Sequence, residues 1–129
     1  MTDALRKAMQ ATNSLFNSEV FAKGNMDAFD DIYTKDAKIL PPGAPMIAGR
    51  ADIKKFWSDF IAAAHAKAAT LETVEAVVDG EGIVEIGKAI LTVQPPGQDA
   101  VQADVKYIVY WRQEDGRWKW HFDIWNANA

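Results

Sequence analysis

The chain has 129 residues, of which 49% are apolar and 25% charged; it has a formal net charge of −4 and contains no cysteine. That is the length of one domain able to bury a core of its own, and it excludes disulfides, thiol catalysis and thiolate metal sites. The mild acidity argues against nucleic acid as a partner, since that affinity comes largely from basic contacts to phosphate.

The first segment reads as a helix. Leu5, Met9, Thr12, Phe16 and Val20 recur at steps of three to four residues, which gathers them on one face. Gly24 is a natural stop, and Asn25 can cap a short second helix whose buried side carries Phe29, Ile32 and Tyr33. A strand over Asp36–Leu40 follows and is broken by Pro41-Pro42-Gly43. A second short strand spans Met46–Ala48, and a third helix Ala51–Ala68 carries the stripe Ile53, Phe56, Trp57, Phe60, Ile61 and Ala64.

From about Leu71 the period changes from helical to alternating. Leu71–Val78, Ile83–Val93, Val101–Arg112 and Trp118–Asn126 are rich in β-branched and aromatic residues and read as strands. Asp79-Gly80-Glu81-Gly82 suits a tight hairpin, Pro95–Asp99 a longer one, and Glu114-Asp115-Gly116 a three-residue connection with glycine at the left-handed position. Helices first and hairpin-linked strands after them predict an α+β fold, one domain over residues 1–129, with a curved antiparallel sheet wrapped around three N-terminal helices. No apolar run approaches the ~20 residues of a membrane helix. Met1–Lys7 lacks the apolar stretch of a signal peptide. The expectation is a cytoplasmic protein with no membrane partner.

Two stretches carry a family resemblance. Tyr33-Thr34-Lys35-Asp36-Ala37-Lys38-Ile39-Leu40-Pro41-Pro42-Gly43 with Gly49–Trp57, and the ending Trp111–Asn126, resemble the SnoaL-like (polyketide-cyclase-like) and ketosteroid-isomerase-like domains of the nuclear transport factor 2-like superfamily. The resemblance implies a cone-shaped fold around a pocket, usually in a homodimer. It does not imply steroid isomerisation. The isomerase base stands directly before the first-strand proline, where this chain has Leu40, and the oxyanion tyrosine of the first helix is matched by Asn17. On the cyclase side, an acid/base aspartate on a late strand is matched by Asp123.

Alternation along the last strand puts Trp118, Trp120, Phe122 and Ile124 on one face and Lys119, His121, Asp123 and Trp125 on the other. If Gln113 pairs with Arg117, Tyr107 faces Asp123 and Val109 faces His121, with His121 and Asp123 roughly 6.5–7 Å apart at Cα. Histidine beside a carboxylate is a credible acid/base unit near neutral pH, so Asp123 and His121 are the catalytic candidates. Tyr33, Trp57, Tyr107 and Trp125 are the ligand-binding candidates; the alternatives are packing for Tyr33 and Trp57, a cross-strand tie to Asp123 for Tyr107, and a core or subunit contact for Trp125. Arg50 is expected to tie the Pro-Pro-Gly loop to the third helix. Glu85 reads as outward-facing; turned inward it would be a second acid/base candidate. His65 reads as a partly exposed helix residue. Two histidines and no cysteine leave no transition-metal site to expect, and no cofactor motif is present.

The functional expectation is a small-molecule-binding domain. If it is an enzyme, it is a cofactor-free isomerase, cyclase or dehydratase acting on an apolar or aromatic carbonyl compound. The alternative is a non-catalytic homodimeric module joined through the sheet face of Trp118, Trp120, Phe122 and Ile124.

Overall fold

The structure is a computed structural model, and it describes residues 1–128. Helix α1 (Asp3–Leu15) begins where the Thr2 hydroxyl accepts from the Leu5 amide at 3.1 Å, satisfying an otherwise orphaned donor. The chain then widens into a π-helical segment, Phe16–Phe21. The wider turn brings Phe21 onto the buried side next to Phe16, with ring centroids 4.9 Å apart. After Gly24, in the left-handed region at φ 69°, a 3₁₀ turn (Met26–Ala28) leads into α2 (Phe29–Ile32). The Asn25 side chain does not cap this helix; it donates to Glu19 at 3.2 Å.

Tyr33 is not helical. It opens β1 (Tyr33–Leu40), which starts three residues earlier than the sequence predicts. A short β2 (Ile47–Ala48) and helix α3 (Arg50–Ala64) follow. The alanine run does not carry α3 on to Ala68. His65 adopts a left-handed conformation at φ 53°, caps the helix with an N–H bond to the Ile61 carbonyl, and is exposed. Pairing of Ala66 with Val93 and of Ala69 with Leu91 then draws the alanines into β3 (Ala66–Asp79); sheet pairing outweighs local helix propensity. Strands β4 (Gly82–Val93), β5 (Val101–Glu114) and β6 (Arg117–Ala127) complete the chain.

The six strands form one curved, unclosed sheet in the order β2-β1-β6-β5-β4-β3. Every pairing is antiparallel except that of β1 with β6. The helices lie against the concave face, where Trp111, Trp120, Tyr33, Phe29 and Ile53 are fully buried. The α+β architecture expected from the sequence is therefore present, with three helices and a curved sheet.

Two irregularities decide what β6 presents to each side. The β5–β6 connection has two residues, not three: Glu114 pairs with Arg117, and Asp115 and Gly116 both have positive φ, at 55° and 73°. This is the hairpin turn whose twist matches the flanking strands. Further along, the register slips by one residue between Tyr110 and Trp111, leaving His121 as the extra residue of a β-bulge between the pairs Trp111–Trp120 and Tyr110–Phe122. Trp120 therefore faces inward with Asp123 and Trp125, while Phe122 and Ile124 face outward. The expected face of Trp118, Trp120, Phe122 and Ile124 does not exist; Trp120 is a core residue, 2% exposed.

The convex face instead carries a cross-strand row, Ile86, Ile108, Ile124 and Leu40, each between 38% and 46% exposed. Beside it Tyr110 stacks on Phe122, with centroids 5.9 Å apart. Among the described residues, no helix is long and apolar enough to cross a membrane.

Candidate functional site

Helices and sheet enclose a cavity of about 270 Å³. An apolar cavity of roughly 150 Å³ suffices for benzene, so this one has room for a molecule of two fused rings. Its deep end is built from Phe16 and Phe21 of the π-helical segment, Val109 and Tyr107 of β5, and Trp120 and Asp123 of β6. Pro42 and Ala44, which are exposed, and the half-buried Phe56, Phe60 and Trp125 stand toward the solvent side. Trp57 stacks on Trp125 at 5.0 Å and meets Phe16 edge-on at 5.1 Å.

Asp123 is the one carboxylic acid in this lining. It is 5% exposed, and its Oδ2 accepts a 2.7 Å hydrogen bond from the Tyr33 hydroxyl. Tyr33 in turn accepts from the Trp57 indole N–H at 3.2 Å. The chain Trp57→Tyr33→Asp123 is directional, because the indole can only donate. Burial and the Asp123 charge push the Tyr33 hydroxyl well above its usual pKa, so it stays protonated and remains a donor. Among the described residues Oδ1 of Asp123 has no partner, yet it is not sealed off, so it opens on the cavity. With Oδ2 occupied by the tyrosine proton, the titrating proton belongs to Oδ1. Burial raises the Asp123 pKa to about 7; the Tyr33 hydrogen bond opposes the rise and the charge of Glu85 adds to it. Desolvation penalises the anion more than one neutral donor stabilises it.

A second buried acid lies behind the wall. Glu85 pairs with Val109, and Val109 with Asp123, so the three occupy one inward cross-strand row. The two acids are thus two strand spacings apart, roughly 9.5 Å at Cα. Glu85 is fully buried, contrary to the outward orientation expected. Its Oε2 accepts from Tyr107 at 2.7 Å, Thr73 at 2.7 Å and Asn13 at 3.3 Å, and its Oε1 from the Trp111 indole at 2.9 Å. Asn13 is held by the Trp120 indole N–H, which donates to its Oδ1 at 2.9 Å. Tyr107 reaches Glu85 by crossing its partner Gly87, where any Cβ would overlap the phenol ring.

The structure thus brings together Tyr33, Trp57, Tyr107, Asp123 and Trp125, five of the six side chains singled out from the sequence. Tyr107 does not face Asp123 directly; its partner is Trp125, and Asp123 faces Val109. His121 stands apart. At the bulge its ring turns away from the cavity, and Nδ1 lies 2.7 Å from the Thr34 hydroxyl. Burial, with Arg112 and Lys38 nearby, lowers its pKa. Arg50 is structural, but it does not tie the Pro-Pro-Gly loop as expected: it donates to the Tyr33 carbonyl at 3.1 Å and pairs with Asp30 and Glu114 at 3.1 and 3.2 Å, joining the start of α3 to α2, β1 and β5. Neither Leu40 nor Asn17 lines the cavity; Leu40 lies on the convex face, and the Asn17 side chain accepts from the Ala69 amide at 3.0 Å. Among the described residues, no three histidine or acidic side chains gather to hold a metal ion.

A family model of the SnoaL-like domain matches residues 15–121. The chain belongs to the SnoaL-like domain family. No curated protein sequence matches it. Among solved structures it is similar to a ketosteroid isomerase-like protein from Erwinia carotovora atroseptica, with 14% identity, a TM-score of 0.78 and 99% of each chain covered. It is also similar to a hexachlorocyclohexane dehydrochlorinase from Novosphingobium barchaimii, with 17% identity, a TM-score of 0.77, and 98% of this chain and 88% of the other covered. A nuclear transport factor 2-like protein from Streptomyces avermitilis shares 14% identity and a TM-score of 0.78 over 98% of each chain. At these identities the likeness is one of fold.

Within this SnoaL-like cavity the sequence passed over Trp120, Phe16 and Phe21, and it turned Glu85 the wrong way. A signal for Glu85 was present in Asn13. An amide on the buried stripe between Met9 and Phe16 needs a polar partner, and the strands supply one.

Proposed function

We propose that this SnoaL-like domain binds a small, largely apolar carbonyl compound in the cavity and that Asp123 moves a proton on it, in an isomerase-, cyclase- or dehydratase-type reaction. The observation that carries this reading is a single carboxyl in an aromatic pocket, anchored through one oxygen by Tyr33 and open to the cavity through the other. A group that titrates near neutrality serves as both base and acid in one turnover. As the carboxylate, Oδ1 takes a proton from the carbon next to the ligand carbonyl; as the acid, it returns that proton elsewhere on the conjugated system. Tyr33 and Trp57 act as positioning residues. His121, turned to Thr34, takes no part.

The test is deuterium exchange into 2-tetralone, a two-ring ketone, followed by proton NMR in D₂O. Exchange catalysed by the wild type and lost in Asp123→Asn is the expected result. Equal catalysis by the folded variant would remove the assignment.

We propose further that a second copy covers the convex face. The row Ile86, Ile108, Ile124 and Leu40, extended by Phe122, is a contiguous apolar patch of a kind that monomers rarely expose, and it replaces the face expected from simple alternation.

A further inference from the structure

The cavity has a sign as well as a shape. Seven of its lining side chains are Phe or Trp, and among the described residues no arginine, lysine or histidine reaches it. Its polar atoms are mostly acceptors. Asp123 offers Oδ1. Tyr107 has committed its proton to Glu85, so only its oxygen lone pairs remain for a ligand. The Trp57 and Trp120 indole N–H groups are already spent on Tyr33 and Asn13. Among the described residues, that leaves the N–H of the half-buried Trp125 as the one side-chain donor of the lining without a partner. Behind the wall, Glu85 adds a second carboxyl group, bonded among the described residues to neutral donors alone. An anion entering this space would meet two acids and no counter-charge. A cation would meet a carboxylate in surroundings of low dielectric, where the attraction is strongest, with aromatic rings around it.

We propose that the cavity takes lipophilic amines as ammonium ions, with the Asp123 carboxylate as counter-ion and the Tyr107 oxygen as a second acceptor, and that it rejects carboxylates of the same shape. The proposal rests on the reading that Asp123 faces the ligand, but it concerns a different chemical class from the carbonyl compound proposed above.

The groups facing Asp123 are Tyr33 from β1, with Trp57 from α3 behind it, Tyr107 from β5, and Glu85 from β4 across Val109. Both tyrosines are held protonated, so Asp123 is the group that titrates near neutrality. Below pH 7 it must release its proton to solvent before an ammonium ion can pair with it; above pH 7 it is already ionised.

The experiment compares three probes of one shape, 2-aminotetralin, 2-tetralone and tetralin-2-carboxylate, by calorimetric titration at pH 6 and pH 8. The amine is expected to tighten about tenfold between these pH values, following the ionised fraction of an acid with pKa about 7. The ketone should not tighten, and the carboxylate should not bind. Asp123→Asn should remove the tightening of the amine. Tyr33→Phe, which keeps the carboxyl but removes the bond that lowers its pKa, should move the midpoint of tightening upward. Asp123-dependent binding of the ketone with a weak or pH-independent amine would overturn this inference and leave the carbonyl reading standing. Binding of neither probe would overturn both.

Discussion

Replacing Asp123 by asparagine should change how stability depends on pH, and the size of the change can be worked out. The ordinary aspartate value is 3.8, and the buried Asp123 titrates near 7. Between these values the folded protein holds a proton that the unfolded chain has lost, so stability falls as pH rises from about 4 to about 7 and is level beyond. At about 1.36 kcal/mol per pH unit, the wild type gives up roughly 4 kcal/mol across that window on account of this one group. Asparagine keeps an oxygen for the Tyr33 hydroxyl and never ionises. The variant should therefore match the wild type near pH 4 and exceed it by up to about 4 kcal/mol at pH 8. Urea unfolding of both proteins at several pH values reads this directly. The difference between the two curves cancels Glu19, Asp30 and Glu114, whose pKa values are lowered and which act in the opposite direction at the acid end. Two curves that stay parallel from pH 4 to pH 8 would show that Asp123 does not titrate near neutrality, and the acid–base reading would lose its basis.

Other outcomes follow from the same geometry. Gly87→Ala places a methyl group in the Tyr107 ring, so Tyr107 should leave Glu85 at a cost of about 2–3 kcal/mol in urea unfolding; unchanged stability would mean that the ring does not cross the glycine. Glu85→Leu strands the donors of Tyr107, Thr73, Asn13 and Trp111 and should cost more than about 3 kcal/mol. A milder loss would show that these groups find other partners. Ile108→Glu, at the centre of the convex row, should leave the fold intact and yield a monomer by light scattering, whereas the wild type is expected to be a dimer; a monomeric wild type would remove the proposed partner.

The fold was legible because its signals are local. Helical spacing on α1, glycine-bearing turns and alternating strands each declare themselves within a dozen residues. The candidate site was legible in part of its membership but not in its geometry, and β6 shows why. Sequence alternation assumes an unbroken strand and a known turn. The turn is one residue shorter than expected, which shifts the register by one, and the bulge at His121 shifts it by one more. The two displacements add to a two-residue slide, which returns Asp123 to the face of Tyr107 but opposite Val109. Trp120, on the hairpin side of the bulge, meets only the first displacement and changes faces. His121 loses its place beside Asp123 for the same reason. A bulge arises from how three strands fit together, and no single strand announces it. Tyr33 illustrates another limit: its position after Phe29 and Ile32 looks helical, but pairing with Trp120 makes it the start of β1.

The strand order has a consequence for how the molecule is assembled. β6 is the last of the six strands to be synthesised, yet it lies in the middle of the sheet, between β1 and β5. Until it emerges, a nascent chain has two separate pieces with two unpaired edges, the kind of surface that recruits other chains. Its arrival closes loops spanning most of the polypeptide: the Trp120 indole bonds Asn13, the Thr12 hydroxyl bonds the Trp118 carbonyl, and Asp123 receives Tyr33. Such distant contacts make for slow folding. The cavity cannot exist in any earlier intermediate, so the ability to hold a ligand should be the last property the chain acquires.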